Sequence, residues 1–187
     1  MATGPLGRQP DKLDYLSPTQ FRFGINQLPK VEFFTVAANI PGINMGEAIF
    51  PTPFKDIPIM GDKLTYENLE ITFIIDEFLE NYLSIYGWIT GQGFPQSRQQ
   101  FIDFRDTTSE TGTLNTSRGT VTGDRSLVSD ATLSILSNKN NPIVEVRFRD
   151  MFPVSLGALE YDQGADDVSP ITVDVTFKYQ QYTIVAI

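Results

Sequence analysis

The sequence contains no cysteine and no histidine, and only one tryptophan, in 187 residues. Without cysteine there is no disulfide, no thiolate nucleophile, no iron–sulfur cluster and no cysteine-type zinc site. Without histidine the commonest general base and the commonest transition-metal ligand are missing, and neither a Ser–His nor a Cys–His pair can form. Positive charge is scarce as well: 14 Lys and Arg stand against 23 Asp and Glu, a net charge of −9. A protein that coats duplex nucleic acid needs the opposite balance to neutralise phosphates. No apolar run approaches the roughly 18 residues of a membrane span. The opening Met-Ala-Thr-Gly-Pro-Leu-Gly has no basic region and no apolar stretch, so no secretion signal is expected there. What remains is an acidic, soluble chain of single-domain length. Its apolar content of 41% is enough for a packed core. It is expected to be non-enzymatic, with no cofactor and no metal.

Strand signals dominate what is present. Residues 1–20, with Pro5, Pro10 and Pro18, read as an N-terminal arm ahead of one domain over 21–187. Phe21, Phe23 and Ile25 alternate with polar or small residues, and Val31 to Ala38 forms a second strand. Leu69 to Asp76 is a third, with Ile71, Phe73 and Ile75 on one face. Residues 130–136 and 143–149 alternate on either side of an Asn-rich turn and predict a hairpin. Ile171 to Gln180 is the clearest alternation, with Ile171, Val173, Val175, Phe177 and Tyr179 opposed to Thr172, Asp174, Thr176, Lys178 and Gln180. Between these, Phe78, Tyr82, Ile85, Tyr86 and Ile89 recur at helical steps. Asp76 is placed to cap that helix, Glu77 and Glu80 suit its positive end, and Gly91 and Gly93 should stop it. The fold class is therefore mainly β: an antiparallel β-sandwich or half-barrel of about six strands, with one flanking α-helix, an extended N-terminal arm and long loops.

Two segments do not fit a simple sandwich. Residues 41–64 combine Pro41, Pro51, Pro53 and Pro58 with Ile43, Met45, Ile49, Phe50, Phe54, Ile57, Ile59 and Met60. Proline removes ladder donors, so these pieces suit edges rather than a sheet centre. They are also too apolar to lie in water. Either this is an irregular loop folded over its own core, or it is an extended arm whose Ile49, Phe50, Phe54, Ile57, Ile59 and Met60 pack on a neighbouring subunit. Residues 91–129 form a long loop rich in Gly, Ser, Thr and Gln. Gln99 to Arg105 has the pattern of a short helical turn. Residues 106–126 are too polar to offset the cost of ordering and are expected to be flexible in the free subunit.

Several chemical readings can be weighed. Gly91-Gln-Gly93 follows a helix rather than opening one, so it is no phosphate loop. Asp162, Asp166 and Asp167 around Gly164 would offer oxygen ligands to calcium, but a solvated turn accounts for them. Asn115-Thr-Ser117 matches a glycosylation sequon by chance. Asp76, Glu77 and Glu80 would serve a carboxylate-only hydrolase if two of them faced each other in a cleft; helix capping is the simpler role. Tyr82, Tyr86 and Trp88 would serve a sugar- or peptide-binding module if exposed in a groove. On a short amphipathic helix such residues more often belong to the core.

Two stretches carry a resemblance. The first runs Ile57-Pro-Ile-Met-Gly-Asp-Lys-Leu-Thr-Tyr-Glu-Asn-Leu-Glu-Ile-Thr-Phe-Ile-Ile-Asp-Glu77 and continues into the helix that bears Trp88. The second is Phe152-Pro-Val-Ser-Leu-Gly-Ala-Leu159, followed by the strand from Ile171 to Tyr179. In these places, and in the order of elements around them, the chain resembles the tail tube proteins of contractile-tailed bacteriophages. Pro58, Gly61, Asp62, Tyr66, Leu69, Thr72, Phe73, Asp76 and Glu77 occupy the motif positions of the first stretch. The long N-terminal arm and the insertion near 106–126 depart from compact members of that family. This leaves a bulk tube subunit or a tube-end or baseplate adaptor open, and the modest length favours the bulk subunit.

The resemblance implies hexameric rings that stack into a hollow tube, inside a contractile sheath, on a baseplate and under a terminator, within a virion tail assembled in the host cytoplasm. Related type VI secretion and tailocin tubes share the fold. DNA would pass through the lumen without sequence-specific binding. On that picture Thr172, Asp174 and Thr176 are expected to face the lumen. An acidic channel repels phosphate and keeps DNA sliding. Arg118 and Arg125 are expected in a loop that orders between rings.

Overall fold

Alternation along the chain becomes a set of one-sided strands in the computed structural model, which describes residues 15–26, 28, 34–93, 97–99, 102, 127–164 and 169–187. Among these residues nine strands and one helix follow in the order β1 (Phe21–Ile25), β2 (Thr35–Ala38), β3 (Ile43–Phe50), β4 (Ile57–Tyr66), β5 (Leu69–Ile74), α1 (Glu80–Gly93), β6 (Ser129–Leu136), β7 (Pro142–Leu156), β8 (Thr172–Lys178) and β9 (Gln181–Ala186). All the pairings are antiparallel. The main sheet runs β1-β6-β7-β8-β5-β2, with β9 beside β7, while β3 and β4 form a separate hairpin. The two end strands, β1 and β2, approach each other, so the sheet curls into an incompletely closed barrel.

The inward positions of this barrel are those of period 2. Leu69, Ile71 and Phe73 of β5 lie opposite Phe177, Val175 and Val173 of β8, and all six are buried. Phe23, Ile25, Ala131, Leu133, Val146, Phe148 and Met151 complete the strand contribution. Burying each large side chain contributes about 1.5–3 kcal/mol relative to leaving it in water.

A corner in the longest strand joins the halves of the sheet. The first part of β7 pairs with β9 over Val144 to Arg149, and the second with β8 over Phe152 to Leu156. Between them Asp150 adopts a positive φ of 52°. Its amide is taken up by the Asp130 carboxylate at 3.1 Å. On the facing ribbon the Gln180 amide donates to the Arg149 carbonyl at 3.0 Å. β8 and β9 thus behave as one strand bent at Tyr179–Gln180 to follow the bend in β7. The sequence expectation stopped β7 at 149 and did not include β9. Pro153 is tolerated beside a register shift in the β7–β8 ladder.

The helix also differs from its expected face. Its buried residues are Asn81, Ile85, Trp88 and Gly91, whereas Tyr86 is exposed and Phe78, at 76% exposure, lies before the helix in open solvent. Of the expected face, Ile85 is buried and Tyr82 and Ile89 pack against the core, while Asn81 and Trp88 take the places that Phe78 and Tyr86 leave. The Asn81 side chain donates to the Ile74 carbonyl at 2.7 Å and accepts from the Tyr82 amide at 2.8 Å. Asp76 accepts from the Asn81 amide at 3.3 Å, so it does cap the first turn, from four residues before the helix. Leu79, with φ of 58°, makes the tight entry. The helix runs through Gly91 and reaches Gly93. Trp88 is in the core, 6.3 Å from the Phe177 ring, and its indole donates to the Leu127 carbonyl at 3.0 Å. The Gln92 amide reaches the same carbonyl. Together they tether the point where the long loop re-enters the barrel.

Candidate assembly surface

Residues 41–64, expected as irregular extended pieces, instead make a regular hairpin: β3 pairs with β4 from Ile43↔Tyr66 to Phe50↔Ile57. Every residue of β3 is exposed, and in β4 only Gly61 and Tyr66 are partly covered. The hairpin therefore stands off the barrel rather than folding over it, which removes the own-core loop alternative. A lone two-stranded hairpin is at best marginal in water.

Midway the ladder shifts register between Met45 and Glu47. Gly46 and Gly61 cross there so closely that a Cβ on Gly61 would collide with the Gly46 main chain, which only glycine avoids. Beyond this point the two faces of the hairpin have similar chemistry. Ile49, Met60 and Pro58 share one face with Glu47, and Phe50, Ile57, Ile59 and Ala48 share the other. At the tip Phe54 is 99% exposed, and Met60 reaches 80%. Contiguous exposed apolar surface of this kind marks an interaction site. Two apolar faces call for cover on both sides. Ile49, Phe50, Phe54, Ile57, Ile59 and Met60, singled out from sequence, are thus brought together on one projecting element.

The roots of the hairpin are firmly tied. Tyr66 at the end of β4, Tyr179 at the β8–β9 bend and Tyr182 in β9 form a triangle of edge-to-face rings 5.7–5.9 Å apart, resting on Phe148. The Tyr179 hydroxyl donates to the Glu67 carbonyl at 2.9 Å, and the Tyr182 hydroxyl to the Pro41 carbonyl at 3.0 Å. Burial, followed by the neighbouring Tyr182, Tyr66 and Glu67, pushes the Tyr179 phenol up to about 12, so it stays a neutral donor. Sequence reasoning placed Tyr179 on the core face and missed this cluster. Its signal was the three-residue step from Tyr179 to Tyr182, which becomes same-sided only if the strand bends between them.

The other predicted positions fall elsewhere. Thr172 and Asp174 are exposed and Thr176 is partly covered, on the face of β8 opposite Val173, Val175 and Phe177. Across the ladder the Thr72 hydroxyl donates to the Asp174 carboxylate at 2.6 Å. Glu70 lies opposite Thr176, so this face is polar over two strands. Tyr82 is half-buried and Trp88 buried, so these two do not join Tyr86 in an exposed aromatic groove. Asp76 is occupied by the Asn81 amide. Asp162 accepts from the Gly164 amide at 2.8 Å in a local turn. Among the described residues no group of three or more Asp, Glu, His or Cys is placed to hold a metal ion. Residues 1–14, Val31 to Phe33, most of Gln99 to Arg105, the 106–126 segment, Asn115, Arg118, Arg125, Asp166 and Asp167 lie outside the described residues.

Neither a family model nor a curated protein matches the sequence. Solved structures do match, along almost the whole chain. A chain of the tube-terminating cap of the anti-feeding prophage superposes with a TM-score of 0.59 at 14% identity, covering 98% of this chain and 100% of its own. A chain of the sheath–tube complex of the extracellular contractile injection system PVC, in the extended state, gives 0.53 at 10% identity over 100% and 99%. A chain of the same system's sheath/tube terminator gives 0.53 at 12% identity over 94% and 100%. The likeness anticipated from residues 57–90 and 148–183 is therefore one of fold, and it extends over the whole chain: this protein has the fold of tube-type components of contractile injection systems.

Proposed function

We propose that this chain is the structural subunit of a tail tube, closing into hexameric rings that stack into a hollow tube inside a contractile sheath. The observation that carries this reading is the β3–β4 hairpin, apolar on both faces and uncovered within its own subunit. Heterologous contact between such an element and a different surface of the next copy closes into a ring when the rotation closes, and a further head-to-tail contact between rings is open-ended. The fold shared with chains of sheath–tube assemblies supports the same reading. In this account residues 41–64 are the inter-subunit arm, Arg118 and Arg125 lie in an inter-ring loop, and the sheath, baseplate and terminator are the other partners. The polar face with Thr172, Asp174 and Thr176 lines the lumen, through which the DNA of a phage tail would pass. A density map of the assembly with that face on the outer surface would refute the lumen assignment.

Negative-stain electron microscopy of the concentrated protein tests the main reading. Tubes of stacked rings are expected, and a persistent monomer would overturn it. A second reading is favoured by the likeness to a tube-terminating cap: a tube-end protein of the same fold. It predicts single rings that do not stack.

A further inference from the structure

We propose that Tyr179 and Tyr182 are positioning residues that fix the direction in which the β3–β4 hairpin leaves the barrel. The hairpin joins the body through two chain crossings, one before β3 and one after β4. Each crossing carries one tyrosine hydroxyl bond to a main-chain carbonyl: Tyr182 to Pro41 before β3, and Tyr179 to Glu67 after β4. Both tyrosines come from the bent β8–β9 ribbon, which is held in turn by the corner of β7. The hairpin is thereby referenced to the paired corner of the barrel.

The surrounding contacts fit a clamp. The Tyr66 ring, on the hairpin itself, is wedged against both Tyr179 and Tyr182. The Glu67 amide closes the root by donating to the Gly42 carbonyl at 3.0 Å, and the Asn44 side chain donates to the Glu67 carboxylate at 3.2 Å. A side chain on Gly42 would run into that carboxylate. Just below, Asn39 forms three bonds to the β4–β5 connection and the start of β5: its carboxamide nitrogen donates to the Asn68 carbonyl, its amide donates to the Glu70 carbonyl, and its carboxamide oxygen accepts from the Glu70 amide. Beyond the clamp every residue of β3 and all of β4 except Gly61 and Tyr66 are exposed, so the described contacts that orient the hairpin are those at its root. A contact element that must meet a neighbour gains affinity when its bound direction is fixed in advance, because less freedom is lost on association.

The consequence for assembly rests on the proposed tube reading, whereas the positioning itself is measurable on the isolated subunit. The chain has no cysteine, so two introduced ones carry spin labels cleanly. With labels at Lys55→Cys on the hairpin tip and Lys139→Cys on the β6–β7 turn, the dilute subunit should give one narrow distance distribution. Adding Tyr179→Phe and Tyr182→Phe together, which keeps every ring, should broaden or shift it, with the thermal midpoint moving by no more than a few degrees. In unlabelled protein, amide exchange at Glu67 should quicken by about tenfold or more, while the β5–β8 ladder stays protected. An unchanged distance distribution, or unchanged exchange at Glu67, overturns the inference. If the double variant does not fold, the single Tyr182→Phe, judged by the same two readings, decides it. The arms separate the two ideas. A broadened hairpin in protein that still forms tubes supports the positioning role and sinks the arm reading. A fixed hairpin overturns the positioning role whether or not tubes form, and the arm reading is then decided by Phe54→Asp alone.

Discussion

In the barrel, Phe23, Phe73, Phe148 and Phe177 are each at most 1% exposed; in the hairpin, Phe50 and Phe54 are 56% and 99% exposed. The residue type is the same, and the neighbours in sequence differ. Along β8 the apolar residues Val173, Val175 and Phe177 alternate with Thr172, Asp174, Thr176 and Lys178, so a single covered face satisfies the strand. Along the outer half of the hairpin the apolar residues are consecutive, as in Ile49-Phe50 and Ile57-Pro58-Ile59-Met60, and both faces need cover. The barrel provides one such surface for its own strands and none for the hairpin. The barrel's apolar residues are thus covered inside the subunit, whereas the hairpin's apolar surface is left exposed.

The sharpest way to break the contrast is to remove matching aromatics from the two regions. Phe148→Ala empties a fully buried site beneath the tyrosine cluster and should cost about 3–5 kcal/mol in urea unfolding. Phe54→Asp should change the same measurement by no more than about 0.5 kcal/mol, since the side chain touches nothing in the subunit. It should abolish tubes in negative-stain images. An unfolded Phe54→Asp subunit would mean that the tip belongs to its own core after all.

An intermediate effect is expected at Asn81, a buried polar residue whose bonds join α1 to the end of β5. Asn81→Ala leaves the Ile74 carbonyl and the Asp76 and Tyr82 amides without this partner. It should cost about 1–3 kcal/mol. Hydrogen exchange should localise the loss to the start of α1. A loss spread evenly over the barrel would show that Asn81 contributes through packing alone.

How much of this was legible in the sequence follows from the same physics. Period-2 runs such as 69–74 and 172–178 announce a strand and its face together, and the inner residues of β1, β5 and β8 are legible in this way. The oddity of 41–64 was also visible, since prolines among large apolar residues are unusual whatever the fold. Its pairing was not. The Gly46/Gly61 crossing that allows a regular ladder there depends on two residues far apart in the chain being brought together. On the helix, Tyr82, Ile85 and Ile89 lie on the expected face, but hydrophobicity ranks Phe78 and Tyr86 above Asn81, although a carboxamide with three partners is as strong a reason for burial. The β7 corner depends on a bend at Asp150, a non-glycine residue at positive φ, which no local pattern signals, and without that bend the step from Tyr179 to Tyr182 reads as two opposite faces.

The smallest expected effect, and the finest cut between barrel and hairpin, is the titration of Tyr179. In an unfolded chain this phenol loses its proton near pH 10. In the fold it does so at about 12, because burial first, and then Tyr182, Tyr66 and Glu67 around it, oppose a negative charge. Between those values the folded state holds the extra proton, so stability falls as pH rises through the window, and the contribution is intact below about pH 10. Ionisation would also remove the donor that ties Glu67 to the barrel, so the loss should begin at the hairpin root. Tyr179→Phe cannot ionise. Its stability deficit relative to the parent, measured by urea unfolding at pH 9, should therefore shrink as the pH is raised toward 11.5. Over the same range, amide exchange at Glu67, corrected for the intrinsic rate, should quicken in the parent and not in the variant. A deficit that stays constant from pH 9 to 11.5 would mean that the phenol titrates alike in both states, and that the hydroxyl at the root of the hairpin is effectively in water.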